Sequence, residues 1–346
     1  MYRANDLREL SSKHTEAGAM ALALRTLGNT GIRVSEFCFG TWEIGGAAWG
    51  PIRAEDAVAL VRHAHDQGVN VFDCSDAYGN GRAEVILGVA FKGRRDEVVL
   101  VTKVGYIAGI DGAQSILPKQ YQNHSPDYIR WACEVSLRRL QTDYIDVYLL
   151  HDAPMAVLRS PEPFAMFRQL QQAGKIRAWG VSSSAEGAAV AIREHGAEVV
   201  MVPFSAIDQR PADVVFPLAR ERGTGILARS PFSGGLLLDA VVAEARQALA
   251  APQIFSPHDR RSLVSPERLQ DIVRKADALS FLVGGAAPTL AAAALRFVLS
   301  FPEVSTAVTG VMRTEELEQD LAACAPPYYG PEEIARARAL FERGFA

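Results

Sequence analysis

Four ionisable side chains stand at the ends of three short apolar runs. Asp73 closes the run 69–75, with Tyr78 in the loop just beyond it; Lys103 closes 97–103, and His151 closes 144–151. If these runs are neighbouring parallel strands, a carboxylate, a phenol, an ammonium and an imidazole converge on one rim. Such a set does proton-transfer chemistry. A tyrosine hydroxyl, with a free pKa of about 10, is a poor acid at neutral pH. An ammonium about 4 Å away, at an effective dielectric near 20, favours the phenolate by roughly 4 kcal/mol, or about three pH units. On that expectation Tyr78 gives a proton to a nascent alkoxide or takes one from an alcohol. Asp73 keeps Lys103 charged and fixed, and His151 donates to a carbonyl oxygen and orients it. No side chain supplies a hydride, so that must come from a bound cofactor. Each residue also has a plain structural use: a turn cap, a solvated aromatic, a surface ion pair, a satisfied strand-end histidine. The functional reading rests on their coincidence at three successive strand ends.

The elements that must position them alternate regularly. Strand-like runs occupy 36–40, 69–75, 97–103, 144–151, 176–183, 198–205, 223–230 and 304–310. Continuous apolar strands of this kind suit a parallel sheet covered on both faces. Helical stretches lie between them: 53–67, stopped by Gly68; one opened by Ser125, Pro126 and Asp127 and running to Arg139; 289–300; and 314–324. Eight strands, each followed by a helix, predict a (β/α)8 TIM barrel, read as one domain over 1–346 with 1–24 as an N-terminal extension. The competing open doubly wound sheet would carry GxGxxG in its first strand–helix turn. GTWEIGGAAWG (40–50) lacks that spacing, and so does the GNG at 79–81. Before the first barrel strand, RTLGNTGIRVSEF (25–37) alternates around Gly28–Asn29–Thr30–Gly31 and predicts a β-hairpin plug over the N-terminal end. Two irregular stretches, 105–124 and 231–266, follow the third and seventh strands and are expected to be C-terminal-face loops over substrate and cofactor.

Composition narrows the partners. A net charge of −4 leaves no basic excess for a nucleic acid or a membrane surface. The 4 cysteines are dispersed, with no CxxC pair, and read as reduced, buried thiols of a cytoplasmic protein. The apolar stretch at 19–24 is too short to span a bilayer and lacks the small-residue cleavage context of a secretory signal; 286–301 is interrupted by Pro288 and Arg296 and reads as a buried helix. His63 and His65, two apart on a helix, point to different faces, so no metal site is expected. Trp42 and Trp49, after the first strand, and His124, after the third, are candidates to wall a substrate pocket. Nothing in the composition fixes an oligomeric state.

The strings GVNVFDCSDAYGNGRAEVILG (68–88), VTKVG (101–105) and SLRRLQTDYIDVYLLHD (136–152) resemble aldo-keto reductases, and LGNTGIRVSEFCFGTW (27–42) resembles that family's N-terminal hairpin and first strand. The resemblance runs from about Arg25 to about Leu321. It implies a (β/α)8 barrel that binds NADP(H), or less often NAD(H), in an extended pose without a Rossmann domain. It also implies a catalytic tetrad of Asp73, Tyr78, Lys103 and His151, with Tyr78 the general acid in reduction and the general base in oxidation. For the cofactor it implies Thr41 and Gly310 at the barrel mouth. Ser182 and Ser183 stand where the family has Ser and Asn at the nicotinamide carboxamide, Met201 where it usually has Gln, and Arg229 where an aromatic ring often stacks. Arg229 is expected to favour the reduced cofactor or to reach the pyrophosphate. Ser230, Pro231, Phe232 and Gly234, in SPFSGG (230–235), resemble the pyrophosphate loop. Arg313 matches a basic residue at the 2′-phosphate, so NADP(H) is favoured, while Gln319 and Asp320 lie where Glu and Asn often contact adenine. The expected function is an NADP(H)-dependent oxidoreductase acting on aldehydes, ketones or the corresponding alcohols. Competing expectations are an NAD-linked sugar or alcohol dehydrogenase, a cofactor-binding regulatory redox sensor with slow turnover, and a barrel aldolase forming a Schiff base on Lys103.

Overall fold

A computed structural model describes residues 22–45, 52–107, 121–248 and 264–345. Most of the expected extension 1–24, Trp49, and much of the stretches 105–124 and 231–266 lie outside the described residues. An antiparallel hairpin, β1 (Leu24–Thr26) and β2 (Arg33–Ser35), precedes eight parallel strands: β3 (Phe37–Gly40), β4 (Val71–Asp73), β5 (Val99–Val104), β6 (Ile145–His151), β7 (Ile176–Ser182), β8 (Val199–Pro203), β9 (Gly225–Arg229) and β10 (Val304–Gly310). The eight close into a barrel in sequence order, β10 pairing back onto β3. Each overlaps one of the runs read from the sequence.

Side-chain alternation decides what the barrel encloses. Cys38, Val71, Val101, Val147, Leu149 and Leu227 form a buried cluster in the lumen. Their neighbours of opposite parity, such as Phe39, Phe72, Leu100, Tyr148 and Ile226, pack outward in a second cluster shared with the helices. Two residues beyond Val71, Val101 and Leu149 stand Asp73, Lys103 and His151. The strand period therefore points all three toward the axis at the C-terminal rim.

The helices begin as their caps require. Ser125 accepts from the Tyr128 N–H at 3.4 Å at the head of helix Pro126–Leu140, and Thr289 accepts from the Ala292 N–H at 3.1 Å at the head of helix Leu290–Leu299. The hairpin closes the opposite end of the barrel. Leu27, Ile32 and Val34 complete the lumen cluster from below, and the Asn29 N–H donates to the Gly223 carbonyl at 2.7 Å. Gly28 has φ 52°, and a Cβ there would lie 2.3 Å from the Gly225 nitrogen. Only glycine lets the turn sit this close to the start of β9. Arg25 ties β1 to the helix Leu290–Leu299 and to β10 through the carbonyls of Leu299 (2.8 Å) and Val304 (2.7 Å). All four cysteines are buried and unpaired. No helix among the described residues is long and apolar enough to cross a membrane.

Candidate active site

Strand register brings the rim together. Asp73 is level with Gly40 on one side, Lys103 with Leu149, His151 with Ser182, and Ser182 with Met201. The Lys103 ammonium is buried and donates to Asp73 Oδ1 (2.6 Å), Asp73 Oδ2 (2.8 Å), the Cys74 carbonyl (2.8 Å) and the Tyr78 hydroxyl (3.1 Å). Its three N–H groups are thus fully used, one of them shared. Tyr78 reaches this point from a turn in which its own N–H donates to the Ser75 carbonyl at 3.2 Å. Its ring is half-buried and its hydroxyl lies inside the protein, with the His151 ring edge-on at 5.8 Å and Trp42 tilted at 6.4 Å. His151 Nδ1 lies 3.0 Å from Ser75 Oγ, and Tyr106 packs edge-on against the imidazole at 4.9 Å.

The electrostatics of this cluster correct one expectation. Burial pushes the Tyr78 phenol above its ordinary pKa; the Lys103 ammonium pulls it down, but Asp73 pushes it back. Counting a single cation omits both desolvation and the carboxylate that neutralises that cation. Tyr78 therefore remains a protonated phenol at neutral pH. Burial opposes the charge on Lys103, yet attraction and hydrogen bonding from Asp73 and Tyr78 prevail and hold it above the usual lysine range. Burial raises Asp73, against the pull of Lys103 and Arg229. Burial first, then the Lys103 and Arg229 cations, holds His151 well below the usual histidine range, so its imidazole is neutral.

A cleft of about 610 Å³ opens beside this cluster, with Asp73, Tyr78 and His151 in its lining. Its wall includes Trp42, Ser182, Met201, Arg229 and Gly310, then Ser230, Pro231, Phe232 and Gly234. Gln319 and Asp320, on the helix Thr314–Ala323, also line it. Arg229 Nε is buried there without a hydrogen-bond partner among the described residues, a donor left for an anionic or carbonyl group of a ligand. Its Nη2 faces Asp152 Oδ1 at 3.6 Å. Burial raises Asp320 to about 7, with the nearby Thr309 hydroxyl opposing the rise and Glu316 adding to it.

Four sequence candidates stand elsewhere among the described residues. Thr41 is buried and outside the cleft lining, its hydroxyl donating to the Asp73 carbonyl at 2.8 Å, which braces β4. Ser183 is buried beside Gly187, which has no side chain to hold it off. His124 is buried with its ring against Gly105, and burial lowers it to about 4 although the nearby His151 backbone opposes this. Arg313 is exposed and forks onto Glu316 Oε1 at 2.7 and 3.0 Å. Glu316, which the sequence reading passed over, lines the cleft itself and also accepts from the Met312 N–H at 2.8 Å. Tyr106 and Asp152 were missed as well. Asp152 follows His151 directly at a strand end, a signal that could have found it.

Fold and site together define a parallel (β/α)8 barrel with a carboxylate, an ammonium, a phenol and an imidazole gathered at its C-terminal mouth, beside a cleft. Comparison with known proteins carries this to the family. The model of the Aldo/keto reductase family matches residues 36–342, and the chain belongs to that family. It is similar to the uncharacterized oxidoreductase YqkF of Bacillus subtilis (strain 168), 30% identical over 313 residues, spanning 90% of this chain and 94% of the relative. It is also similar to the NADH-specific methylglyoxal reductase of Escherichia coli (strain K12), 33% identical over 224 residues, spanning 62% of this chain and 69% of the relative. Among solved structures, the holo form of aldo-keto reductase AKR11C1 from Bacillus halodurans superposes with a TM-score of 0.74 at 27% identity, covering 92% of this chain and 96% of the other.

Proposed function

We propose that the protein reduces aldehydes or ketones to alcohols, or runs the reverse, with Tyr78 as proton donor and a nicotinamide dinucleotide in the cleft. The observation that carries this is the Tyr78 hydroxyl 3.1 Å from an ammonium that Asp73 holds in place, in the lining of a cleft of about 610 Å³. When bound, the nicotinamide supplies the hydride. The chain does the rest. His151, neutral, donates to the carbonyl oxygen and fixes its position. As negative charge grows on that oxygen, the Tyr78 O–H proton moves to it, and the Lys103 ammonium stabilises the phenolate left behind. A phenol that stays protonated at neutral pH suits reduction more than oxidation. Ser182, Met201 and Arg229 would hold the nicotinamide end, Ser230, Pro231, Phe232 and Gly234 the pyrophosphate, and Gln319 and Asp320 the adenine.

For the adenosine end, NADP(H) remains the first reading, because the Arg313 guanidinium is exposed and can re-pair with a phosphate. A second reading, NAD(H), is favoured by Glu316, whose carboxylate already occupies the Arg313 fork and faces the cleft. Aldolase chemistry and a purely regulatory role have less support. A Schiff-base lysine must be neutral to attack, and Lys103 is held charged with every N–H engaged. A slow regulatory sensor needs no proton donor, yet the Tyr78 hydroxyl stands 3.1 Å from a buried ammonium, an arrangement suited to one. The test is Tyr78→Phe, assayed by NADPH and NADH consumption over a panel of carbonyl compounds. Turnover should fall by at least about 100-fold while fluorescence-measured cofactor affinity holds. Near wild-type rates in the variant would remove the assignment.

A further inference from the structure

Ser75, Asp76 and His151 form a buried chain that the proton-transfer cluster does not use. All three side chains are buried. Ser75 Oγ lies 3.0 Å from Asp76 Oδ1 and 3.0 Å from His151 Nδ1, and it accepts the Ala77 N–H at 3.1 Å. A hydroxyl has one proton and two lone pairs. With one lone pair taken by Ala77, Ser75 can donate to only one of its two side-chain neighbours and must accept from the other. If Asp76 is ionised, Ser75 donates to it, and His151 must present Nδ1–H to Ser75. If Asp76 is protonated, its O–H donates to Ser75, and Ser75 donates to a bare Nδ1.

We propose that Asp76, acting through Ser75, decides which ring nitrogen of His151 carries the proton, and so whether His151 offers the cleft a donor or an acceptor. This rests on the oxidoreductase reading above for its consequence, though not for its geometry. The two imidazole nitrogens point away from each other. With Nδ1 committed to Ser75, Nε2 is the atom left to a substrate in the cleft that His151 lines. A protonated Asp76 gives Nε2–H, which binds a carbonyl oxygen and suits reduction. An ionised Asp76 gives a bare Nε2, which accepts from an alcohol O–H and suits oxidation. Asp76 is a positioning residue in this scheme.

Its surroundings favour the neutral form up to mildly alkaline pH. Asp76 Oδ2 is buried with no hydrogen-bond partner among the described residues, an environment costly for a carboxylate oxygen. The Glu84 carboxylate, from the helix Arg82–Ala90, opposes its charge, and Arg139, from the helix Pro126–Leu140, favours it more weakly. Arg139 is itself paired with Glu84 at 3.1 Å. Tyr148 on β6 and Tyr106 beyond β5 also face it, both as neutral phenols pushed upward. The Lys103 ammonium is turned to Asp73, and His151 is neutral. Burial first, then Glu84, raises Asp76 to about 8.

The experiment is ¹⁵N NMR of histidine-labelled, ligand-free protein from about pH 6 to about pH 10, with a His151→Gln variant to assign the ring. The wild-type ring should exchange its protonated nitrogen, Nε2 at low pH and Nδ1 at high pH. In Asp76→Asn no proton is gained or lost whichever way the amide turns, so the exchange should vanish. Ser75→Ala, a smaller change, should abolish it as well. In parallel, carbonyl reduction by wild type should fall toward tenfold per pH unit above the midpoint, and Asp76→Asn should stay flat. A wild-type tautomer constant across the range, or the same exchange persisting in both variants, overturns the proposal. The NMR readout needs neither cofactor nor substrate. Ring exchange without carbonyl turnover would sink the reductase reading alone, and turnover without ring exchange would sink this relay alone.

Discussion

The ammonium of Lys103 lies 2.6 Å from Asp73 Oδ1 and 3.1 Å from the Tyr78 hydroxyl, so a single buried cation is shared between a carboxylate and a phenol. The carboxylate keeps the cation charged against desolvation, and the cation in turn makes the phenolate bearable once its proton has left. Removing either partner should unbalance the other.

Asp73→Asn tests that balance. Without the carboxylate, burial would drive Lys103 toward its neutral form. Breaking a buried pair by removing one member costs about 3–5 kcal/mol, so urea unfolding should shift by that order. Reduction should fall by roughly 100-fold or more. Borohydride with substrate should trap no adduct on Lys103 in the wild type. An adduct there, or an Asn variant with unchanged rate and stability, would contradict the shared-cation picture.

Glu316→Gln addresses the adenosine end. It removes one negative charge from the cleft and frees Arg313 from its fork. The ratio of NADPH to NADH affinity should rise by about tenfold, the equivalent of roughly 1.4 kcal/mol. Fluorescence titration with both cofactors measures it directly, and an unchanged ratio would mean that Glu316 plays no part in the choice.

Arg229→Tyr addresses the nicotinamide end. A guanidinium whose Nε is buried and unsatisfied among the described residues repels a cationic oxidised ring more than a neutral reduced one. Replacing it with a neutral ring should raise affinity for the oxidised cofactor relative to the reduced form. Parallel titrations with the two redox states report this, and equal changes in both would dismiss any redox discrimination by Arg229.

The raised carboxyl of Asp76 has a stability signature of known sign. Burial, then Glu84, lifts it to about 8 in the fold, against about 3.9 in the unfolded chain. Between those values the folded state keeps a proton that the unfolded chain has released. The contribution is complete below about pH 4 and is lost as pH rises through about 8. Asp76→Asn cannot ionise and escapes the loss. In urea unfolding its stability relative to wild type should therefore improve from about pH 5 to about pH 8. A gap that does not change with pH would place the Asp76 pKa near its ordinary value.

Much of the scaffold is legible in the residues themselves. Alternation in FCFG, VFD, VLVTKV and IDVYLLH fixes which side chains face the lumen, because a strand repeats every two residues whatever surrounds it. That period alone puts Asp73, Lys103 and His151 on one inner face. Ser125 before Pro126, and the glycines flanking Asn29 and Thr30, likewise announce a helix start and a hairpin, since caps and tight turns depend on local dihedral preference. The positions of Ser182 and Arg229 at later strand ends, and of Met201 within β8, follow from the same counting.

Other features could not be read that way. Thr41 spends its hydroxyl on the Asp73 carbonyl, His124 turns toward Gly105, and Glu316 takes the fork of Arg313; each depends on which neighbour the packed chain presents. The sign of the Tyr78 shift escapes the sequence for the same reason. Desolvation is set by everything around the hydroxyl, including segments far away in the chain. Sequence period and local dihedral preference determined the direction in which each side chain points. Only the closed barrel decided how dry each group is and which partner it meets, because burial and pairing are sums over contacts between distant segments.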